Sequence, residues 1–184
     1  MADSFTFLQF RIAEAEDAAK VQQLIQAAFR AKDSREEWTA DTALNLRFTL
    51  DIAYIEQTIT DPESNFLVAY DGNGEIVGTI GVLKRESDLA RIFMLAVDQH
   101  RQQGGLGRQI LTYAEQYCQR TWGVTRVGLD ALSTRRQLIS WYVRRGYRET
   151  GETKPFPREI YSDLELPDDL CFVQFEKPIN PLGA

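Results

Sequence analysis

Three glycines within four positions constrain this chain more than any other feature of its sequence. Gly104, Gly105 and Gly107 lie in the stretch DQHRQQGGLGRQIL (residues 98–111), between an apolar run typical of a β-strand and apolar residues at helical spacing. Glycine is unfavourable inside helices, and it is used where the backbone turns sharply or approaches a ligand. The stretch is therefore either a flexible turn or a strand–turn–helix unit whose free N–H groups bind an anion such as phosphate.

Hydrophobic periodicity on both sides of the glycines predicts a mixed α/β domain that spans residues 1–184. Apolar runs predict strands at residues 5–13, 65–70, 75–84, 89–97, 125–132, near 147–152 and at 170–177. Helical spacing predicts helices at residues 16–31, 51–59, from Leu106 to Cys118 and at 133–147, the last capped by Ser133 and closed by Gly146. The turn DGNG (residues 71–74) predicts a hairpin, residues 32–48 a loop or short helix, and residues 154–169 a proline-bearing loop.

Composition and charge exclude several kinds of protein. No apolar stretch approaches the ~18 residues of a membrane span, and the N-terminus has no basic region followed by an apolar run, so we expect a cytoplasmic protein without membrane contact. Two cysteines, Cys118 and Cys171, make no disulfide framework, and with His100 as the one histidine no metal site is expected. The net charge of −6 disfavours nucleic acid as a partner. Residues 98–150, however, have nine arginines against four acids, whereas the rest of the chain has a net charge of −11. This asymmetry predicts an anionic ligand near the glycines.

The order of residues in the glycine stretch distinguishes between three phosphate-binding motifs. A P-loop needs Gly-Lys-Ser/Thr, whereas Gly107 precedes Arg108 and Gln109. A dinucleotide fingerprint needs a third glycine, and Ile110 occupies that position. The remaining pattern, QQGGLG, matches Q/R-x-x-G-x-G/A, so the stretch resembles the coenzyme A loop of the GNAT superfamily of N-acetyltransferases.

The resemblance extends from residue 5 to residue 177. The run Leu95-Ala96-Val97 resembles the end of the strand that precedes this loop in the family. The segment QLISWYVRRGY puts Tyr142, Gly146 and Tyr147 on the last three fixed positions of the family's helix pattern N-x-x-A-x-x-x-Y-x-x-x-G-F. The sequence departs from the family pattern with Gln99 in place of proline, Gln102 and Gln103 in place of Arg-Gly, and Arg135 in place of asparagine. We expect these departures to change coenzyme A affinity rather than to abolish binding.

The resemblance implies a fold and an activity. The fold is a single mixed, mostly antiparallel central sheet with a splayed strand pair and flanking helices. The activity is transfer of acetyl from acetyl-CoA to a primary amine by direct attack. The implied cofactor-binding residues are Leu95, Ala96, Val97, Gln102, Gln103, Gly104, Gly105, Leu106, Gly107 and Arg108. The pantetheine arm would lie between the strands that end at Val97 and near Leu129. Tyr142 would be the general acid that protonates the departing thiolate, and a backbone N–H near Leu95 or Ala96 would stabilise the oxyanion.

The general base, the acetyl acceptor and the catalytic status itself stay open at this point. Members of the family often have a glutamate on the strand that corresponds to residues 89–97, and this sequence has none there. The alternatives are Glu86 or Asp88, directly or through water, a water relay, or attack without a base. The acceptor, a small amine or a peptide or protein amine, would meet Trp38, Arg47, Tyr54, Phe156 and Arg158. Arg101 and Arg108 flank the glycines and would add positive charge. The alternative to an enzyme is a non-catalytic acyl-CoA-binding or sensing module on the same fold. An exposed strand edge near the C-terminus would allow a homodimer.

Overall fold

A seven-stranded sheet runs through the computed structural model, which describes residues 7–31, 42–101 and 104–180. The strands are β1 (Gln9–Ile12), β2 (Ser64–Tyr70), β3 (Ile76–Lys84), β4 (Leu89–Val97), β5 (Arg126–Leu132), β6 (Arg148–Pro155) and β7 (Cys171–Pro178). The helices are α1 (Ala18–Arg30), α2 (Thr42–Leu46), α3 (Ile52–Thr60), α4 (Leu106–Trp122) and α5 (Arg136–Val143). The strand order is β1-β2-β3-β4-β5-β7-β6, and each neighbouring pair is antiparallel except β4 and β5. The predicted mixed, mostly antiparallel sheet is therefore confirmed.

Side chains that alternate along the strands give the sheet two apolar faces. In β2, Leu67 and Ala69 join the core beneath α4, whereas Phe66 and Val68 join the core beneath α1 and α3. All four side chains are buried. Helices therefore cover both faces of the sheet, and the N-terminus of α4 lies at the end of β4.

The pairing of β4 with β5 ends after three residues. Leu89, Ala90 and Arg91 pair with Arg126, Val127 and Gly128, and beyond them β4 pairs with β3 alone and β5 with β7 alone. The two strands thus separate toward the end of β4 and leave a cleft between them. The predicted splayed strand pair is confirmed.

A β-bulge in β4 accompanies this separation. The register with β3 passes from Gly81 opposite Phe93 to Thr79 opposite Ala96, so two residues of β4, Met94 and Leu95, face one residue of β3. Met94 has a φ of 51°, a left-handed conformation that is unusual for a residue other than glycine. A bulge bends its strand and leaves one residue outside the ladder of hydrogen bonds. The bulge therefore frees backbone polar groups of β4 beside the cleft.

The start of α5 differs from the prediction. The helix begins at Arg136, with Arg135 at the N-cap and no side-chain cap, so the predicted cap by Ser133 is wrong. The Ser133 hydroxyl instead accepts a hydrogen bond from the backbone N–H of Cys171 at 3.3 Å. Ser133 therefore extends the β5–β7 pairing by one residue. The helix is closed as predicted by Gly146, whose φ is 93°.

The sheet edge near the C-terminus is formed by β6, and all eight of its residues are exposed. Dimerisation through this edge stays a prediction. In the part of the chain that the structure describes, none of the helices has the length and apolar character needed to cross a membrane.

Candidate active site

The glycine loop contains two kinds of glycine. Gly104 and Gly105 have φ values of 141° and 71°, which side chains rarely permit, and Gly105 is the N-cap of α4. Gly107 lies inside the helix with no such φ, and a Cβ there would meet the Trp141 ring at 3.7 Å and Val97 at 3.9 Å, both ordinary contacts. The turn thus explains glycine at 104 and 105, whereas neither conformation nor packing explains it at 107. Close approach of a ligand to the backbone would be a reason for glycine there.

The N-terminus of α4 is open to a ligand. Its N-cap, Gly105, has no side chain to accept a hydrogen bond from the first turn, and the first amide bonded back to the loop is that of Gln109, 3.1 Å from the Gly105 carbonyl. The amides of Leu106, Gly107 and Arg108 precede that bond and have no acceptor within the helix. These amides and the helix dipole favour an anion. Gln102 and Gln103, predicted to belong to this cradle, lie outside the described residues.

The positive charge of Arg101 is paired with an acid and is not free for this anion site. Its guanidinium lies 2.6 Å from the Asp71 carboxylate in the β2–β3 turn, and Asp71 is buried. Burial alone would raise the pKa of Asp71, but backbone N–H groups of Glu75 and Asn73 and the Arg101 guanidinium together hold it below its ordinary value. The pair connects the segment before the glycines to the hairpin turn. Arg101 is therefore placed to position the loop, whereas Arg108 forms no ion pair with any residue that the structure describes.

One aromatic ring, that of Trp141, lies between Tyr142 and the glycine loop. The Tyr142 ring packs edge-on against Trp141 at 5.1 Å and against Tyr147 at 5.7 Å, and Trp141 is the residue that a Cβ at Gly107 would contact. Within the described residues the Tyr142 hydroxyl has no hydrogen-bond partner. Burial raises the pKa of Tyr142 to about 12, against a small opposing effect of Arg135, so the hydroxyl keeps its proton at neutral pH. Sequence reasoning missed Trp141, which brings the two motifs together.

Tyr147, the aromatic position of the same motif, has a structural environment. It is fully buried, and its hydroxyl donates a hydrogen bond of 2.8 Å to Glu115. Glu115 also accepts from the Lys177 ammonium at 2.9 Å and 3.0 Å. These contacts join α4 to the end of β7. The sequence held no local signal for them, because the partners are far apart along the chain.

Glu86 and Asp88, expected as candidates for the general base, lie far along β4 from the bulge at Met94 and Leu95. Both precede β4 at the end where β4 and β5 still pair, and Asp88 forms an ion pair with Arg126 at 3.2 Å. Leu95 is seven residues further along the strand, which corresponds to about 23 Å. An acid near the cleft is instead Asp130 of β5, which sequence reasoning missed. It is paired with Arg91 at 2.6 Å and with Lys154 at 3.0 Å, so two cations already occupy it.

The residues predicted to contact the acetyl acceptor fall into two groups. Phe156 belongs to a small apolar cluster that joins α2 to the loop before β7, together with Leu44, Leu170, Tyr161 and Phe172. In the same region Arg47 forms a two-pronged ion pair with Asp163, and Arg158 donates to the Pro167 carbonyl. Tyr54 is apart from this cluster, 43% exposed on α3, and Trp38 lies outside the described residues.

Comparison with known proteins assigns the chain to a family. The profile of the acetyltransferase (GNAT) family matches residues 19–147. None of the curated proteins matches the sequence significantly. Among solved structures, the ribosomal-protein-S18-alanine N-acetyltransferase from Escherichia coli has a TM-score of 0.69 at 17% identity, over 96% of this chain and 97% of that chain. For the IAA acetyltransferase from Bacillus cereus the TM-score is 0.66 at 14% identity, over 94% and 100% of the two chains.

The spermidine/spermine N-acetyltransferase from Vibrio cholerae is similar at a TM-score of 0.64 and 13% identity, over 93% of this chain and 92% of that chain. At these identities the solved structures share the fold. The family profile extends over more than half of the chain, and it agrees with the splayed sheet and the glycine loop at the start of α4. The chain belongs to the GNAT acetyltransferase family.

Proposed function

We propose that this protein is an acetyl-CoA-dependent N-acetyltransferase that moves the acetyl group to a primary amine by direct attack. Gly107 carries the proposal: it is a glycine that the folded chain itself does not require, at an uncapped helix N-terminus beside a cleft. A Cβ at this position would hold a phosphate away from the backbone amides. The donor set therefore fits a pyrophosphate.

In this proposal, the amides of residues 104–108 bind the pyrophosphate of acetyl-CoA. The pantetheine arm enters the cleft between β4 and β5, along Leu95, Ala96 and Val97. Gln102 and Gln103 remain predicted members of the site. The bound thioester supplies an activated acetyl group close to the bulge at Met94 and Leu95.

The chemical step requires a donor for the developing oxyanion and a proton for the thiolate. The acceptor nitrogen bonds to the thioester carbonyl carbon, and negative charge develops on the carbonyl oxygen. A backbone N–H freed by the bulge, at Leu95 or Ala96, stabilises that charge. The C–S bond then breaks, the thiolate takes the proton of Tyr142, and the amine nitrogen loses a proton to water. Water then restores the Tyr142 proton.

Two observations favour a primary amine as the acceptor. Two of the similar structures are enzymes for the alanine of a ribosomal protein and for spermidine or spermine, which present primary amines. The chain outside residues 98–150 has a net charge of −11, which favours a cationic amine. The acceptor would approach the cleft near α2 and the loop before β7.

Amine-dependent thiol release tests this function. The purified protein is incubated with acetyl-CoA and a panel of polyamines, amino acid derivatives and peptides with free N-termini or lysines. We expect at least one amine to accelerate thiol release, with an acetylated product of +42 Da detected by mass spectrometry. Binding of acetyl-CoA without release for any amine would support the acyl-CoA-sensing alternative instead.

A further inference from the structure

The direction of the Tyr142 hydroxyl is set by the packing of its ring. Within the residues that the structure describes, this hydroxyl forms no hydrogen bond. The ring is buried and meets two other rings edge-on, Trp141 at 5.1 Å and Tyr147 at 5.7 Å, a preferred geometry for aromatic pairs. Trp141 is partly exposed, whereas Tyr147 is fully buried. Tyr147 is therefore the more firmly held of the two rings that orient Tyr142.

Two hydrogen bonds hold Tyr147 in place. Its backbone N–H donates to the Tyr142 carbonyl at 3.2 Å, which fixes the spacing of the two residues. Its hydroxyl donates to Oε1 of Glu115 at 2.8 Å. Burial, and then the charge of Glu115, raise the pKa of Tyr147 well above its ordinary value, so the hydroxyl keeps its proton and remains a donor. The ring of Tyr147 is thus anchored at its far end as well as through the backbone.

Glu115 is in turn held by Lys177. Glu115 is buried, and the Lys177 ammonium donates to both of its carboxylate oxygens, at 2.9 Å and 3.0 Å. The Lys177 side chain passes Gly146, where a Cβ would lie 3.4 Å from Cε of the lysine, and its ammonium lies 5.5 Å from the centre of the Tyr147 ring. Apolar side chains of similar size often stabilise a core at least as well as a buried ion pair. Stability alone therefore does not explain three polar groups at this place.

We propose that Glu115, Lys177 and Tyr147 form a network that positions Tyr142 for proton transfer. The inference rests on the proposed function, since it takes Tyr142 to be the general acid. Glu115 follows Gly107 on the same helix, about 12 Å further along its axis. The network therefore connects the helix that carries the glycine loop to the ring beside Tyr142. A general acid must lie within hydrogen-bond reach of the group that it protonates, and a displacement of about 1 Å can lower a rate by about 10²-fold.

A double-mutant cycle on kcat separates positioning from stability. Tyr147→Phe keeps the ring and removes its bond to Glu115, Glu115→Ala removes the acceptor, and Glu115→Gln keeps an acceptor for the hydroxyl. Each change is made in the wild type and in Tyr142→Phe, and kcat is measured with saturating acetyl-CoA and amine. An effect that acts through the Tyr142 hydroxyl must vanish when that hydroxyl is absent, whereas a general loss of structure lowers kcat equally in both backgrounds.

Tyr117→Phe is the matched control. Tyr117 is also a buried tyrosine of this core, its hydroxyl accepts a hydrogen bond from Asn65 at 3.0 Å, and its ring packs against Trp122. This variant should keep the wild-type kcat. Circular dichroism and thermal melts check that each variant folds. Calorimetric titration measures coenzyme A affinity, which Tyr147→Phe should leave unchanged.

We expect Tyr147→Phe and Glu115→Ala each to lower kcat about tenfold in the wild type and to have no effect in Tyr142→Phe, with Glu115→Gln retaining most of the wild-type kcat. Equal losses in both backgrounds, or no loss in either, overturn the positioning network. A loss in Glu115→Gln as large as that in Glu115→Ala overturns it as well, and in each of these cases the acetyltransferase proposal stands. Absence of amine-dependent thiol release from the wild-type protein instead overturns the proposed function, and the network with it.

Discussion

Replacing Gly107 by alanine separates what a ligand requires at this position from what the fold requires. The new methyl group would lie 3.7 Å from Trp141 and 3.9 Å from Val97, so no neighbour has to move. Alanine is favoured over glycine in helices by up to about 1 kcal/mol, so the free energy of unfolding should stay equal or rise by up to that amount. For a chain of this size the melting temperature would rise by at most about 4 °C.

Coenzyme A affinity should change in the opposite direction. The methyl group would push a phosphate away from the amides of the first turn and weaken at least one hydrogen bond to a charged group. Such a bond contributes about 1.5–3 kcal/mol, which corresponds to a loss of about 10- to 150-fold in affinity. Isothermal titration calorimetry measures the affinity, and a thermal melt measures the stability of the same sample.

Gly123→Ala is the matched control, because Gly123 closes the other end of α4 with a φ of 66°. Alanine in that left-handed conformation costs about 1–2 kcal/mol, so this variant should lose stability and keep its coenzyme A affinity. Unchanged affinity in Gly107→Ala would refute the view that a phosphate lies against the backbone there.

Three further predictions concern the neighbouring groups. Tyr142→Phe should lower kcat by about 10²-fold with acetyl-CoA affinity unchanged, and an undiminished kcat with chemistry rate-limiting would remove Tyr142 from the mechanism. Asp71→Asn keeps the side-chain acceptor of the hairpin turn but weakens the contact with Arg101, so calorimetry should show a severalfold loss of coenzyme A affinity; equal affinity would mean that the pair does not position the loop. Burial raises the pKa of Cys118 and of Tyr142 to about 12 and also raises that of Tyr147, so the folded state keeps protons that the unfolded chain releases. The contribution of these groups to the free energy of unfolding is therefore fully present below about pH 9 and is lost as the pH rises toward 12. Urea unfolding measures this free energy, and a value that does not change over this pH range would contradict the prediction.

Features whose causes lie within a few residues were predictable from the sequence. The glycines before α4 marked the end of a strand and the start of a helix, because their conformational freedom is needed there. The DGNG turn predicted its hairpin for the same reason. The apolar spacing of Leu106, Ile110 and Ala114 predicted the buried face of α4, and all three side chains are buried.

The bulge that opens beside the cleft had no such local signal. The bulge arises because β4 has one residue more than β3 between the flanking pairs. Methionine is not a residue type that indicates a positive φ, although Met94 has one. The family resemblance implied a splayed strand pair, whereas the register of β3 and β4 and the positive φ of Met94 could be read only from the structure.

Pairs that are distant along the chain were equally hidden. Asp71 and Arg101 are 30 positions apart, and Glu115 and Lys177 are 62 apart, so no window of sequence contains both partners. The same limit explains why the sequence did not show that Asp71 pairs with the charge that Arg101 adds beside the glycines.

Single-turnover transfer from acetyl-labelled acetyl-CoA tests direct transfer to an amine most directly. The protein is mixed in excess over the labelled donor together with the amine found in the screen, and thiol, labelled amine, labelled acetate and protein-bound label are followed over time. Direct attack predicts that thiol and labelled amine appear at the same rate in equal amounts, with no label on the protein at any time. Label that accumulates on the protein, or that leaves as acetate while the amine stays unmodified, would contradict the proposed reaction.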